Sequence, residues 1–401
     1  MAGPARDTAL CYRDKLIVRL AFLLYKYFPY GGLQRDFARF VEALQRRGHR
    51  CRVYCFSWQG EQLPAVDLRL VPVSAATSVR RNQRFLKWVQ ADLAADPVEG
   101  VIGFNKMPGL DVYYAADPCF LDKALQGRGA LYRLSSRFRH FSAWERAVFD
   151  TASTTEILLI SATEQHKFER HYHTQPERMH LLPPGVSPDR RAPPDAAGRR
   201  AAMRASLGLT DDTYTLLMVG SGFITKGLDR AIHALASLQA QQAGQRMRLL
   251  VAGQDHSGRF RLLARRAGVQ KQVVFLGGRD DIPGLLLAAD VLVHPARSEA
   301  AGVVLLEALV AGLPVVVTGV CGYAGHIAAA QAGVVLPEPF DPQALLAALQ
   351  SMLAPDFRQQ CQRNALAYAE CEDLYSMHAT GAALIEQLIR VDPGQPAGSD
   401  G

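Results

Sequence analysis

Val291-Leu-Val-His-Pro-Ala-Arg-Ser-Glu-Ala-Ala-Gly-Val-Val-Leu-Leu-Glu-Ala-Leu-Val-Ala-Gly-Leu-Pro-Val-Val-Val317 is the stretch on which the fold turns. A short apolar run ends at His294-Pro295, a polar loop carries Glu299, a helix starts near Gly302, and Gly312-Leu313-Pro314 stops it before another β-branched run. The pattern is strand, loop, helix, strand. Glu299 and Glu307 bracket a glycine-containing helix start, whose free N–H groups and positive dipole end suit an anion. At a rise of roughly 1.5 Å per residue, Glu307 lies about one and a half turns along the helix, within reach of a second polar group beyond that anion. A nucleoside diphosphate, with a sugar on one side and a ribose on the other, fits the spacing.

The bland alternative puts both carboxylates on solvated surface. Against it, Glu307 sits between Leu305-Leu306 and Ala308-Leu309, in a helix apolar nearly all round and so expected to be buried. An unpaired carboxylate there is costly, so a buried one is expected to be paired or used.

Working outward, 401 residues suffice for two domains with their own cores, and an apolar share of 49% suits a globular chain. The seven cysteines are scattered and odd in number, with no Cys-x-x-Cys pair and no metal-like spacing, which points to a reducing cytoplasm. The apolar run from Leu16 to Leu24 is short and broken by Arg19, too weak for a signal peptide or a membrane span. A net charge of +7 favours an anionic partner: a phosphorylated substrate, an acidic membrane face or nucleic acid. No nucleic-acid-binding motif accompanies that charge, so nucleic acid is not expected.

The organisation reads as a disordered lead-in over 1–14, a first domain over 15–187, a proline- and charge-rich linker over 188–200, a second domain over 201–355, C-terminal helices over 356–391 returning toward the first domain, and a disordered tail over 392–401. Strands are expected at Leu16–Leu24, Arg52–Phe56, Leu68–Val73, Val98–Phe104, Asp111–Ala115, Ile157–Ile160 and His180–Leu182 in the first domain. In the second they fall at Tyr214–Val219, Leu249–Ala252 and Val273–Leu276, with helices at Lys226–Leu238 and Ile282–Ala289. Each half alternates strand and helix, the signature of an α/β Rossmann-like domain. Gly31-Gly32 follows the first strand and opens a helix over Leu33–Arg46, but no Gly-x-Gly-x-x-Gly fingerprint occurs there.

Leu24-Tyr25-Lys26-Tyr27-Phe28-Pro29 running into Gly31-Gly32-Leu33-Gln34-Arg35-Asp36, Gly103 to Asp111 leading to Ala115-Ala116-Asp117, Leu182-Pro183-Pro184-Gly185 with Pro188-Asp189-Arg190, and Glu299 with Glu307 together resemble the GT-B glycosyltransferases of retaining family 4. Within that family the chain is similar, from Leu16 to about Ile389, to the lipopolysaccharide-core glucosyltransferases that add the first outer-core hexose to inner-core heptose. The resemblance implies two Rossmann-like domains facing across a cleft. It implies transfer of a hexose, glucose, from a UDP-sugar donor to a heptose-containing lipopolysaccharide acceptor, with retention and without a metal or other cofactor; with no span or signal in the sequence and a lipid-embedded acceptor, the enzyme is expected on the anionic cytoplasmic face of the inner membrane.

Carried over residue by residue, Glu307 would hold the ribose hydroxyls and Glu299 the hydroxyls of the donor sugar. The amides of Ala301 and Gly302 would bind the distal phosphate, Lys226 would meet the leaving diphosphate, and the Gly278-Arg279 turn would frame the uracil. Gly31-Gly32 would bring backbone to the phosphates, Asp36 and Asp117 would face acceptor and donor sugar, and Arg190 would reach in from the hinge. The residue types suit the chemistry: charge developing on a diphosphate needs N–H donors and cations, and an oxocarbenium-like sugar benefits from carboxylates. One departure stands out: the related enzymes place an arginine before the phosphate-binding lysine, and this chain has Thr225.

Arg128, Arg133, Arg137, Arg139, His140 and Arg146 interleave with Tyr132, Phe138, Phe141 and Trp144. The pattern fits either a solvated helix face over core aromatics or a surface for anionic lipid or a phosphorylated acceptor. Rival readings of the whole chain are a non-hydrolysing UDP-sugar epimerase and a scaffold that binds sugar nucleotide or membrane without turnover.

Overall fold

The computed structural model describes residues 17–389 except Tyr30 and Arg128; the expected lead-in over 1–14 and tail over 392–401 lie outside the described residues. Two parallel sheets form the frame. The first runs in the order β5-β3-β1-β6-β7-β8-β9, from β1 (Arg19–Leu23), β3 (Arg50–Cys55), β5 (Val66–Leu70), β6 (Gly100–Gly103), β7 (Val112–Ala115), β8 (Glu156–Leu159) and β9 (Met179–Leu181). A two-stranded ribbon, β2 (Lys26–Tyr27) with β4 (Ser57–Trp58), extends the loops beyond β1 and β3. The second sheet runs β12-β11-β10-β13-β14-β15, from β10 (Tyr214–Val219), β11 (Met247–Ala252), β12 (Val273–Gly277), β13 (Val291–His294), β14 (Val315–Thr318) and β15 (Gly333–Leu336). Central strands such as Leu216 to Met218 and Val291 to Val293 are buried on both faces, which is why they read as continuous apolar runs.

Strand order decides where a ligand can bind. In the first sheet the chain moves outward from β1 through β3 to β5 and returns on the other side at β6; in the second it leaves β10 through β11 and β12 and returns at β13. Loops diverge at such switch points and leave a crevice at the carboxyl ends of the strands. Here the loops after β1, β10 and β13 meet in one cleft between the domains.

Several boundaries differ from the sequence reading for local reasons. The linker expected over 188–200 is largely structured: a 3₁₀ turn covers Pro188–Arg190 and a helix begins at Ala196 and runs to Ser206. That helix is anchored by Arg204, whose buried guanidinium donates to the Thr213 carbonyl at 2.7 Å and the Ala288 carbonyl at 2.9 Å. The helix expected from Lys226 starts at Leu228, because Gly227 holds a left-handed φ of 74° and Lys226 stays in the turn before it. A Cβ at residue 227 would come within 2.0 Å of the Pro295 carbonyl oxygen, so glycine lets the β10 loop lie against the β13 loop.

The C-terminal helices also part company. Pro355–Cys371 packs on the Val303–Val310 helix of the second domain, and Met377–Ile389 crosses to the Gly32–Arg46 helix of the first. Buried Met377, Ala382, Ile385 and Ile389 face that crossing, and Arg47 with buried Glu386 pins its end. Of these two helices it is the last that packs on the first domain's Gly32–Arg46 helix, its buried apolar residues joining that domain's core.

The candidate active-site cleft

All twelve residues singled out from the sequence (Gly31, Gly32, Asp36, Asp117, Arg190, Lys226, Gly278, Arg279, Glu299, Ala301, Gly302 and Glu307) line a single cleft of about 860 Å³ between the two domains. The second domain's wall is made by its switch-point loops. Gly302 caps the Val303–Val310 helix at φ 85°, a left-handed turn that glycine adopts without strain and that presents the helix N-terminus to the cleft. The loop before it is pinned from behind: Glu299 bridges Cys321, and the Tyr323 N–H donates to the Ala301 carbonyl at 2.8 Å.

Glu299 is the electrostatic centre of this wall. Lys226 donates to its Oε2, and the fully buried His294 at the end of β13 brings Nε2 within 3.4 Å of the same oxygen. Burial opposes ionisation of Glu299, but His294 and the Lys226 charge outweigh it and hold the carboxyl at about 2. His294 itself is pushed below the ordinary imidazole range by burial, so at neutral pH it is uncharged. In the sequence His294 reads only as a strand end, and its one chemical signal is that a polar residue closes an otherwise apolar strand. Thr225, in the position of the departure noted above, accepts the Arg297 N–H on its backbone carbonyl at 2.7 Å. The Arg297 guanidinium is held by Asp229 at 2.6 and 2.8 Å.

Glu307 is buried, as the apolar helix around it predicts, and faces two arginines: Arg190 Nε at 3.7 Å and Arg35 Nη1 at 4.0 Å from its Oε1. Arg190 comes from the turn that follows the first domain, and Arg35, which the site assignment left out, from the Gly32–Arg46 helix. Arg279 is gripped in a two-pronged ion pair by Asp281 at 2.8 and 2.5 Å at the rim.

The first domain's wall is assembled from remote segments. Gly31 caps the Gly32–Arg46 helix, one turn into which Asp36 is buried. Tyr114, on β7, donates its hydroxyl to Asp36 Oδ2 at 2.9 Å, and His378, on the last helix, places Nε2 3.1 Å from Asp36 Oδ1. Burial drives the Tyr114 hydroxyl far above its ordinary titration range, so it remains a donor. Asp117 is exposed at the start of a turn fixed by two buried carboxylates: Glu145 accepts the N–H groups of Phe120 at 2.7 Å and Leu121 at 2.9 Å, and Glu164 that of Cys119 at 2.7 Å. Lys106 neutralises Glu145 at 2.5 Å.

The basic-aromatic stretch divides into two layers. Trp144 and His140 are buried with ring centroids 4.3 Å apart, so those rings are core. Arg133, Arg137 and Arg139 are exposed, and the apolar groups beside them are Leu131, 83% exposed, and Leu134, 74% exposed. Arg146 is engaged by Asp150 at 3.3 Å, and Arg128 lies outside the described residues. Among the described residues no helix is long and apolar enough to cross a membrane, and no group of three or more His, Cys, Asp or Glu side chains is arranged to hold a metal ion.

Comparison with known proteins agrees with this architecture. The profile of the family described as Glycosyltransferase Family 4 matches residues 30–190, and that of Glycosyl transferases group 1 matches residues 199–367. The chain is 46% identical over 367 residues to the lipopolysaccharide glucosyltransferase WaaG of Escherichia coli, covering 91% of this chain and 98% of that one. The crystal structure of WaaG, described as a glycosyltransferase involved in lipopolysaccharide biosynthesis, superposes with a TM-score of 0.87, covering 91% of this chain and 99% of that one. A D-inositol 3-phosphate glycosyltransferase of Streptomyces scabiei is 32% identical over 229 residues, 53% of this chain and 50% of its own length. Anabaena HepE, solved with UDP-glucose, shares the fold at 18% identity and a TM-score of 0.70, covering 93% of this chain and 98% of its own.

Proposed function

Since the chain belongs to the family 4, group 1 glycosyltransferases and has their GT-B fold, we propose that it transfers glucose from UDP-glucose to an inner-core heptose of lipopolysaccharide, with retention and without a metal. The observation that carries this is the identity to WaaG across nearly the whole of both chains, with the carboxylate pair intact in the cleft. On this reading Glu307 accepts the ribose hydroxyls, flanked by Arg35 and Arg190. The Ala301 and Gly302 amides at the helix N-terminus receive the distal phosphate, and Lys226 meets the charge that develops on the departing diphosphate. Glu299 takes the hydroxyls of the donor sugar while Lys226 keeps it ionised. Asp36, with Tyr114 and His378 behind it, faces the incoming acceptor hydroxyl, and Asp117 the donor sugar. The glucose C1–O bond to the diphosphate breaks and a C1–O bond to heptose forms on the same face, the heptose O–H proton passing to the departing diphosphate oxygen.

The acceptor is anchored in lipid, so the enzyme works at a membrane. Exposed Arg133, Arg137 and Arg139 beside Leu131 and Leu134 combine charge attraction with shallow apolar insertion, which suits the anionic cytoplasmic leaflet. Reversal of those three arginines to glutamate is expected to abolish co-sedimentation with anionic vesicles at low salt; equal pelleting of variant and wild type removes the surface. The reaction itself is tested by offering labelled UDP-sugars to lipopolysaccharide truncated at the inner core, in EDTA. Transfer from UDP-glucose is expected. Failure with every donor in EDTA, reversed by magnesium or manganese, overturns the metal-free reading; interconversion of the donor without acceptor marks an epimerase.

A further inference from the structure

A second, smaller pocket of about 350 Å³ opens beside the cleft in the first domain and shares Phe28 and Leu33 with it. Its charged lining residues are Lys26 and Arg81, with no carboxylate among them. Both cations stand over the face of Phe56, the Arg81 guanidinium 4.7 Å and the Lys26 ammonium 5.9 Å from the ring centroid. Neither forms an ion pair with a described residue, and the Nε of Arg81 is buried without a hydrogen-bond acceptor, as is the Tyr25 hydroxyl in the same lining. Ser78, Arg81 and Asn82 project from the first turns of the Ser78–Ala95 helix at i, i+3 and i+4, so the helix's positive end adds to the two cations.

Lys26 is exposed to solvent, but the buried Arg81 Nε and Tyr25 hydroxyl beside it cost free energy while they lack an acceptor, and an anion satisfies them. Position says which molecule brings it. The pocket shares lining residues with the cleft and is also lined by Phe141 of the Ser136–Phe149 helix, which carries the exposed Arg137 and Arg139. It therefore adjoins both the cleft and the helix that carries the surface assigned to lipid. We infer that the Lys26–Arg81–Phe56 pocket binds an anionic substituent, phosphate or carboxylate, on the acceptor saccharide while the neighbouring sugar hydroxyl reacts in the cleft. The inference rests on the acceptor reading given under the proposed function.

The test is acceptor kinetics of wild type, Arg81→Gln and Lys26→Gln on inner-core lipopolysaccharide. Three acceptor preparations are compared: untreated, phosphatase-treated and carboxyl-reduced. With untreated acceptor each substitution is expected to raise the acceptor KM about tenfold, the cost of one lost charge-assisted contact. UDP affinity by calorimetry is expected to stay at the wild-type value, which shows that fold and donor site are intact. If phosphatase treatment erases the difference between variant and wild type, the group is a phosphate; if carboxyl reduction erases it, the group is a carboxylate. Unchanged acceptor KM in both variants, or an equal penalty on all three acceptors, overturns the subsite. Absence of transfer by wild type itself would instead overturn the acceptor reading on which the subsite depends.

Discussion

The two walls of the cleft are built by different means. On the second domain, Lys226 comes from the loop after β10, and His294, Glu299, Gly302 and Glu307 from the single strand-loop-helix unit that begins with β13, with the ionic contacts around Glu299 made within that wall. On the first domain, Asp36 is held by Tyr114, 78 positions along the chain, and by His378, 342 positions along it. Around Glu299 the donor wall is local to its own domain, although Lys226 is 73 positions away in the chain, and only at Glu307 does it draw on Arg190 and Arg35 from the first domain's side. The support of Asp36 is complete only once the last helix has crossed from one domain to the other. A local wall should fail by losing chemistry at one atom; a composite wall should fail by loosening.

The largest effect is expected from Glu299→Ala. If the carboxylate acts on the donor sugar in the transition state, kcat falls at least about a hundredfold while UDP affinity stays within about twofold. Steady-state kinetics with calorimetry checks this, and a parallel loss of UDP binding would erase the division of labour between the two glutamates.

Next is the pH dependence of the same charge cluster. The Glu299 carboxyl titrates near 2 when folded, against an ordinary 4.5. Folding is therefore linked to its deprotonation: its contribution, on the order of 3 kcal/mol, is complete above about pH 5 and is lost as pH falls toward 2. Urea unfolding of wild type and Glu299→Gln between pH 8 and 3 should show a stability gap that holds to about pH 5 and then closes. A gap already closing between pH 7 and 6 would move the dependence to the neutral, buried His294.

Glu307→Gln is expected to weaken UDP binding about tenfold, the value of a charged hydrogen bond to the ribose hydroxyls. Equal UDP affinity in wild type and variant would remove the ribose assignment and leave Arg35 and Arg190 as structural partners of a buried charge. The smallest effect is expected on the composite wall: His378→Gln removes one of the two supports of Asp36, and kcat/KM for acceptor should drop about threefold with UDP affinity unchanged. A loss as large as that of Glu299→Ala would show that the acceptor wall is as finely tuned as the donor wall.

That contrast also marks what could be read from the residues alone. Alternating apolar runs and helical periodicity over Val291–Val317 dictated a strand-loop-helix unit with Glu299 before the helix start and Glu307 inside it, because strands, caps and helix faces are set by neighbours a few residues away. The burial of Glu307 followed from the leucines and alanines beside it. Tertiary structure alone decided strand order, and with it the two switch points that open the cleft. It alone decided that Met377–Ile389 rather than the whole C-terminal segment returns to the first domain. It placed His294 against Glu299, His378 against Asp36 and Arg35 opposite Glu307. It also turned Trp144 and His140 inward and left Leu131 and Leu134 outside. Periodicity specifies which face of an element is apolar, but not which distant element covers it, and partners hundreds of residues apart are chosen by packing of the folded chain.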